Sequence, residues 1–248
     1  MIFQRQHIIR IQSVDSSNDE AWRRIKNGQG FDGQIIQTTF QKTGKGQSGA
    51  FWESESGKNL LFSCIWKPDY VSPSDQFMLT KTISLAIRES ISRLLPNKNV
   101  QIKWPNDIYA ENGKIAGILI ENAITGNKIE YCIAGIGINI NQTEFRSDAP
   151  NPVSCKQITG KTFELDECLE VVRNSINSWL LMLKNSHSRA IDTSYLKYLL
   201  GYNKIRSFRH SFRQFEARIC GVNRYGRIIL DEDGTIRHYD MKEIVFLF

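Results

Sequence analysis

The stretch KWPNDIYAENGKIAGILIE, residues 103–121, decides how the rest of the chain is read. It reads as short strands with a turn at each break. A strand ends at Lys103, and Pro105 fixes the backbone of the turn that follows. Asn106 and Asp107 then sit where polar side chains can point into a site. Asn112-Gly113 lies between β-like runs at 108–110 and 114–121, which is a hairpin signal. The last strand opens on Lys114 and carries Gly117, whose missing side chain lets a ligand lie against the sheet. Taken alone, the stretch is equally a plain hairpin with a solvated lysine and aspartate.

Its neighbours extend the pattern. Downstream, residues 129–139 read as another strand with Gly135 and Gly137 two apart. By the period of two these glycines share one face, and Asn139 continues the row. That predicts a flat floor ending in an amide, costly in a strand unless something packs on it. Upstream, TGKGQSG at 43–49 follows a predicted strand at 34–40. Its glycines let backbone N–H groups approach a ligand, and Lys45 adds a positive charge, a combination suited to a phosphate or carboxylate. It lacks the P-loop pattern, and no helix follows its G-x-G-x-x-G string. Alone it is more often a plain turn.

Further out, residues 7–11 read as a strand, and Asp15-Ser-Ser-Asn18 as a polar turn offering helix N-caps. Helical spacing is expected over 19–26, 74–95, 166–183 and 194–200. Near Gly201 the helical period gives way to strands at 215–222, 227–230, 235–239 and 244–248, with turns at 223–226 and 231–234. Such a run suits a small β-barrel of the SH3-like type. The reading is a domain over 1–200 followed by a β module over 201–248.

Composition narrows the rest. Charged residues at 23% and hydrophobic ones at 41% exclude a disordered or fibrous chain. No secretory h-region opens the chain, and no apolar run approaches the roughly 18 residues that span a bilayer. Five cysteines, an odd number without C-x-x-C spacing, support neither a disulfide framework nor a zinc knuckle. Reduced thiols in the cytoplasm are expected. Thirty-two Lys and Arg against 26 Asp and Glu leave +6. That excess does not choose among a nucleic acid, an acidic protein and an anionic small substrate.

Together the segments are far more specific. Asp15 to Asn18, Gln41 to Trp52, Lys103 to Asp107, Gly113 to Glu121 and Gly135 to Asn139, in that order, resemble the motifs of the biotin protein ligase family. The resemblance covers most of residues 7–140, and the C-terminal segment looks like that family's small cap. It implies an α+β fold: a class II synthetase-like catalytic domain with a mixed or antiparallel sheet and flanking helices, plus an SH3-like barrel. It also implies an enzyme that uses ATP and Mg²⁺ to make biotinyl-5′-adenylate. Biotin then passes to a lysine of a biotin carboxyl carrier domain.

The resemblance carries roles onto residues. Ser16, Ser17, Asn18, Gln41, Lys45, Gly46, Gln47, Lys114, Gly117 and Gly135 are expected around biotin. Gly44, Lys45, Gly46, Gln47, Trp52, Asn106, Lys114 and Asn139 are expected around the nucleotide. Lys114, then Lys103 and Asp107, are expected to carry the chemistry, with Asp107 contacting magnesium. A urea needs both donors and acceptors, which Ser and Asn supply. One departure matters: many members carry a second basic residue in the glycine loop, where this chain has neutral Gln47. Two rivals are a lipoate or octanoate ligase, which shares fold and reaction, and a biotin-responsive DNA-binding repressor. The strand at 7–11 leaves no room for an N-terminal helix-turn-helix, so no DNA partner is expected, and no membrane. Monomer and homodimer both stay open, as does the identity of the carrier.

Overall fold

The computed structural model describes residues 1–147 and 150–247. The centre of its main sheet is β3 (Leu60–Trp66), buried at every position. A strand apolar on both faces has to be covered on both. On one side α1 (Ser17–Lys26) brings Ala21 onto Ile65 of β3, Ile36 of β2 (Gln34–Gln41) and Ile133 of β7 (Lys128–Ile138). On the other, α2 (Phe77–Leu94) and α4 (Leu165–Lys184) close the larger core. The remaining strands are β1 (Ile8–Val14), β4 (Val100–Lys103), β5 (Asp107–Ala110) and β6 (Gly113–Thr125). The sheet order is β1-β2-β3-β7-β6-β5-β4. Only β1 and β2 pair in parallel, so the sheet is mixed.

Two short helices, α3 (Cys155–Thr159) and α5 (Ser188–Tyr198), complete this part. The small module has β8 (Ile205–His210), β9 (Arg213–Val222), β10 (Ile228–Glu232), β11 (Thr235–Tyr239) and β12 (Val245–Leu247). They form an antiparallel sheet in the order β11-β10-β9-β8-β12, where the sequence predicts the small barrel. The module is bolted to the main sheet through the 103–107 turn. The Trp104 indole N–H donates to the Gly226 carbonyl at 2.8 Å. Gly226 has φ 89°, and a Cβ there would stand 2.5 Å from the Phe77 ring. One apolar core runs through both parts.

Several expectations shift. The hairpin before β6 is real, but its left-handed residue is Glu111, at φ 53°, rather than Asn112 or Gly113. Gly113 serves packing instead: a Cβ there would lie 2.5 Å from Val153. The second helix starts at Phe77, because Pro73–Asp75 forms a separate 3₁₀ turn. The fifth helix runs earlier than 194–200, since Leu200 leaves it to donate its N–H to Ile102 of β4. β8 escapes the sequence reading because only Phe208 of its six residues is buried, so no alternation shows. All five cysteines are unpaired. Among the described residues no helix is long and apolar enough to cross a membrane.

Candidate active site

A cavity of about 310 Å³ opens between the main sheet and the small module. Its floor is set by strand register. Gly117 of β6 faces Gly137 of β7, and Gly135 lies between Leu119 of β6 and Ser63 of β3. The glycines make space that two side chains use. A Cβ on Gly135 would stand 2.3 Å from the Asn18 Oδ1, and one on Gly137 2.5 Å from the Trp52 ring. On Gly117 it would stand 2.8 Å from the same ring. The floor is therefore not bare: Asn18 and Trp52 lie on it side by side.

The polar end is built by the start of α1. Ser16 is its N-cap residue, yet its side chain makes no capping bond. The Ser17 N–H, at the first helical position and beyond the reach of an N-cap side chain, is taken by Gln41 Oε1 at 2.7 Å. With no capping bond, the Ser16 hydroxyl is not committed to the helix. The Ser63 hydroxyl lies 2.6 Å from Asn18 Oδ1 and 2.8 Å from Ser17 Oγ. A hydroxyl has one hydrogen. Since the amide oxygen can only accept, Ser63 donates to Asn18 and accepts from Ser17. The Asn18 amide nitrogen donates to Glu121 at 2.9 Å, and the Trp22 indole donates to the same oxygen at 3.0 Å. Asn18 is thus committed at both ends and acts as a strut. Ser16 and the lone pairs of Ser17 remain for a ligand.

The charged end is built by β5 and β6. Lys114 Nζ pairs with Asp107 Oδ1 at 2.7 Å, both about four-fifths buried. The same ammonium stands 5.6 Å from the centre of the Trp52 ring. Lys103 joins them beside Tyr109 and Phe246. Burial lowers the Lys103 pKa; Asp107 opposes this and Lys114 adds to it. Burial first, and Asp107 second, push the Tyr109 hydroxyl up to about 12. The site therefore concentrates cationic groups about one carboxylate, as an anionic substrate requires.

The glycine loop forms the roof. It closes on itself, with Gly46 N–H on the Ala50 carbonyl at 2.7 Å and Trp52 N–H on the Gly44 carbonyl at 2.9 Å. Lys45 Nζ pairs with Asp19 Oδ1 at 2.7 Å. To reach a phosphate it must leave that aspartate.

A profile of the biotin/lipoate A/B protein ligase family matches residues 11–139, just over half of the chain. The chain belongs to that family. Among curated relatives, the bifunctional ligase/repressor BirA of Escherichia coli (strain K12) is 26% identical over 240 residues, covering 93% of this chain and 71% of that protein. A biotin–[acetyl-CoA-carboxylase] ligase of Paracoccus denitrificans is 27% identical over 176 residues, 68% of this chain and 71% of that one. Among solved structures, a biotin protein ligase from Aquifex aeolicus in complex with biotin and ATP superposes with a TM-score of 0.80 at 22% identity. That match covers 98% of this chain and 99% of that one.

Most of the expected residues converge on the cavity. Ser16, Ser17, Asn18, Gln41, Lys45, Gly46, Gln47, Trp52, Lys103, Asn106, Asp107, Lys114, Gly117 and Gly135 all line the cavity. Asn106 does so while its amide donates to the Ile118 carbonyl, clasping the turn to β6. Gly44 and Asn139 do not line it. Gly44 is backed against the Trp52 carbonyl. The Asn139 amide reaches the Val153 carbonyl at 3.2 Å, beyond the end of β7. Sequence reasoning missed Ser63, Trp22 and Glu121 as supports. It also missed the wall that Met241, Ile244, Val245 and Phe246 bring from the small module. Glu121 closes the G-K-I-A-G-I-L-I-E run, and that was its one visible signal. Ser63 sits in an otherwise apolar strand, where a buried hydroxyl needs partners.

Proposed function

We infer that the protein is an ATP-dependent biotin protein ligase. The observation that carries this reading is the two-ended cavity. A donor–acceptor set stands at Ser16 and Ser17, an apolar floor and Trp52 follow, and the Lys114–Asp107 pair closes the far end. Biotin has that layout: a neutral urea, an apolar ring and chain, and a carboxylate. Ser16 and Ser17 meet the ureido group, with Gln41 behind them. The chain lies along Gly117 and Gly135, and the carboxylate ends at Lys114.

The first step is attack of the carboxylate oxygen on the α-phosphorus of ATP, with pyrophosphate leaving. Two anions meet, so the fixed cation at Lys114 lowers the barrier by holding charge that builds on the oxygens between them. Lys103 and a released Lys45 serve the phosphates. In the second step the carrier lysine's amine attacks the mixed anhydride's carbonyl carbon. AMP leaves and the amine gives up a proton. No covalent bond to this chain forms.

Magnesium fits as a shared ion rather than a caged one. Asp107 is the one carboxylate among the described lining residues, and Mg²⁺ with phosphates needs only one or two. When bound it neutralises phosphate charge, and Asp107 would hold it on exchanging its pairing with Lys114. Residues 1–200 act as the catalytic unit in this reading, with 201–248 as its cap. The acceptor is a carrier domain of a biotin-dependent carboxylase, as the name of the Paracoccus relative suggests for that protein.

Incubation with ATP, labelled biotin or labelled lipoate, and a carrier domain tests this. Label on the carrier lysine from biotin alone is expected. Label from lipoate alone would reverse the substrate, and a salt-sensitive DNA shift without ligation would favour the repressor. Gln47 gives a second test. A Gln47→Arg variant restores a loop cation beside the phosphates and is expected to hold biotinyl-adenylate several-fold longer, at about 0.5–1 kcal/mol for a partly exposed pair. Equal adenylate lifetimes in a filter-retention assay would refute that role for the loop charge.

A further inference from the structure

The structure assigns to Glu121 a specificity-determining role. As a positioning residue it fixes the direction of a hydrogen-bond chain that makes Ser17 an acceptor, and so selects a ligand that presents an N–H there. The identity of that ligand rests on the ligase reading.

The chain starts where no group can change its sense. Asn18 and Trp22 stand one turn apart on α1, so both reach the same strand, β6. The Trp22 indole N–H can only donate, and it donates to one Glu121 oxygen at 3.0 Å. The Asn18 amide nitrogen lies 2.9 Å from that same oxygen and 3.4 Å from the Leu119 carbonyl. A carboxylate and a backbone carbonyl both only accept. The amide nitrogen must therefore face β6, and Oδ1 must face Ser63 at 2.6 Å. The Leu119 contact is long for a hydrogen bond, so Glu121 supplies most of that preference.

Each later link has one sense left. The Ser63 hydrogen goes to Asn18, so at 2.8 Å Ser63 accepts the hydrogen of Ser17. Ser63 is wholly buried and Ser17 nearly so, and neither can turn to water instead. Ser17 lines the cavity, and toward it offers only lone pairs. Gln41 is wired in the opposite sense: its Oε1 takes the Ser17 N–H, which leaves its Nε2 as a donor. The polar end thus presents a fixed acceptor beside a fixed donor. A cyclic urea answers both, with an N–H next to a C=O. A dithiolane ring has no N–H to offer. Discrimination of this kind is large, because a ligand without the N–H leaves the Ser17 lone pairs buried and unmet.

The test uses the full chain and two measurements. Exchange of the Asn18 side-chain amide protons is read by NMR without ligand, and ligand Kd by calorimetry. The ligands are biotin and its two cyclic carbamates, in which one or the other ureido N–H is replaced by oxygen. The parent should bind one carbamate about 100-fold or more weaker than biotin. Glu121→Met removes the acceptor at similar length. Its Asn18 protons are expected to exchange about tenfold faster or more, and biotin to weaken by a similar factor. The carbamate-to-biotin ratio should fall about tenfold, because a freed Ser17 can donate to the ring oxygen. Glu121→Gln keeps one oxygen for both Trp22 and Asn18 and should restore the parent ratio. Ser63→Ala cuts the chain one link later and should lower the ratio as well, which serves should E121M not fold. Equal loss of affinity for all three ligands in E121M would overturn the proposal and leave Glu121 a prop. So would a lost ratio in E121Q, an unchanged ratio in S63A, or unmoved Asn18 protons in E121M. A parent chain without measurable affinity for biotin would sink the ligase reading, and the Asn18 protons would still decide whether Glu121 sets the chain.

Discussion

Replacing Lys114 with alanine is expected to cut pyrophosphate release at saturating biotin on the order of 10²–10³-fold or more, a larger loss than the weakening of biotin binding. The size follows from what the lysine leaves behind. Its Nζ pairs with Asp107, and both are largely buried. The variant loses a cation and also exposes a carboxylate to incoming phosphates. A group that is neutralised in the parent becomes repulsive in the variant. The sharper check is therefore a double change. Adding Asp107→Asn to Lys114→Ala removes the repulsion and should recover part of the lost rate. Asp107→Asn alone should lower it. Unchanged adenylation in Lys114→Ala, measured as pyrophosphate release at saturating biotin, would remove Lys114 from the chemistry.

Gly135→Ala is expected to abolish high-affinity biotin binding, a loss of about 100-fold or more, with a modest cost to folding of about 1–3 kcal/mol. The new methyl would lie 2.3 Å from Asn18 Oδ1 and 2.9 Å from its Cγ. Asn18 has nowhere easy to go, because Ser63 and Glu121 hold the two ends of its amide. The start of α1 must then shift, carrying Ser16 and Ser17 from the urea. Gly137→Ala makes an informative partner. Its methyl would meet Trp52 rather than Asn18, so the damage should fall on adenylate formation more than on biotin Kd. Titration calorimetry with biotin separates the two. Equal biotin affinities in both variants would show that the floor is a single surface rather than two stations.

Much of this site was legible in the sequence, for a physical reason. Glycines at 117, 135 and 137, a charged residue opening a strand, and a proline after Lys103 are local exceptions to strand chemistry, and exceptions stand out. Supports are harder to see. Ser63 is an ordinary serine until the register puts it opposite Gly135. Asn139 continues the glycine row in sequence, but β7 ends at Ile138 and its amide turns to Val153. The wall from Met241 to Phe246 is exposed or only partly buried apart from Ile244, so its pattern says surface although its place is a ligand cavity.

The Trp104–Gly226 bond has a consequence for how such proteins can be recombined. The tryptophan sits inside the motif that marks the site, yet its polar edge is spent on the other sheet. Gly226 answers it from a spot where the Phe77 ring leaves no room for a side chain. Lock and socket thus lie in different halves of the chain, and neither half is a free-standing cassette. A chimera that borrowed the small module from a relative without a matching glycine turn would arrive with its key cut wrong, and the cavity would lose the wall that module supplies.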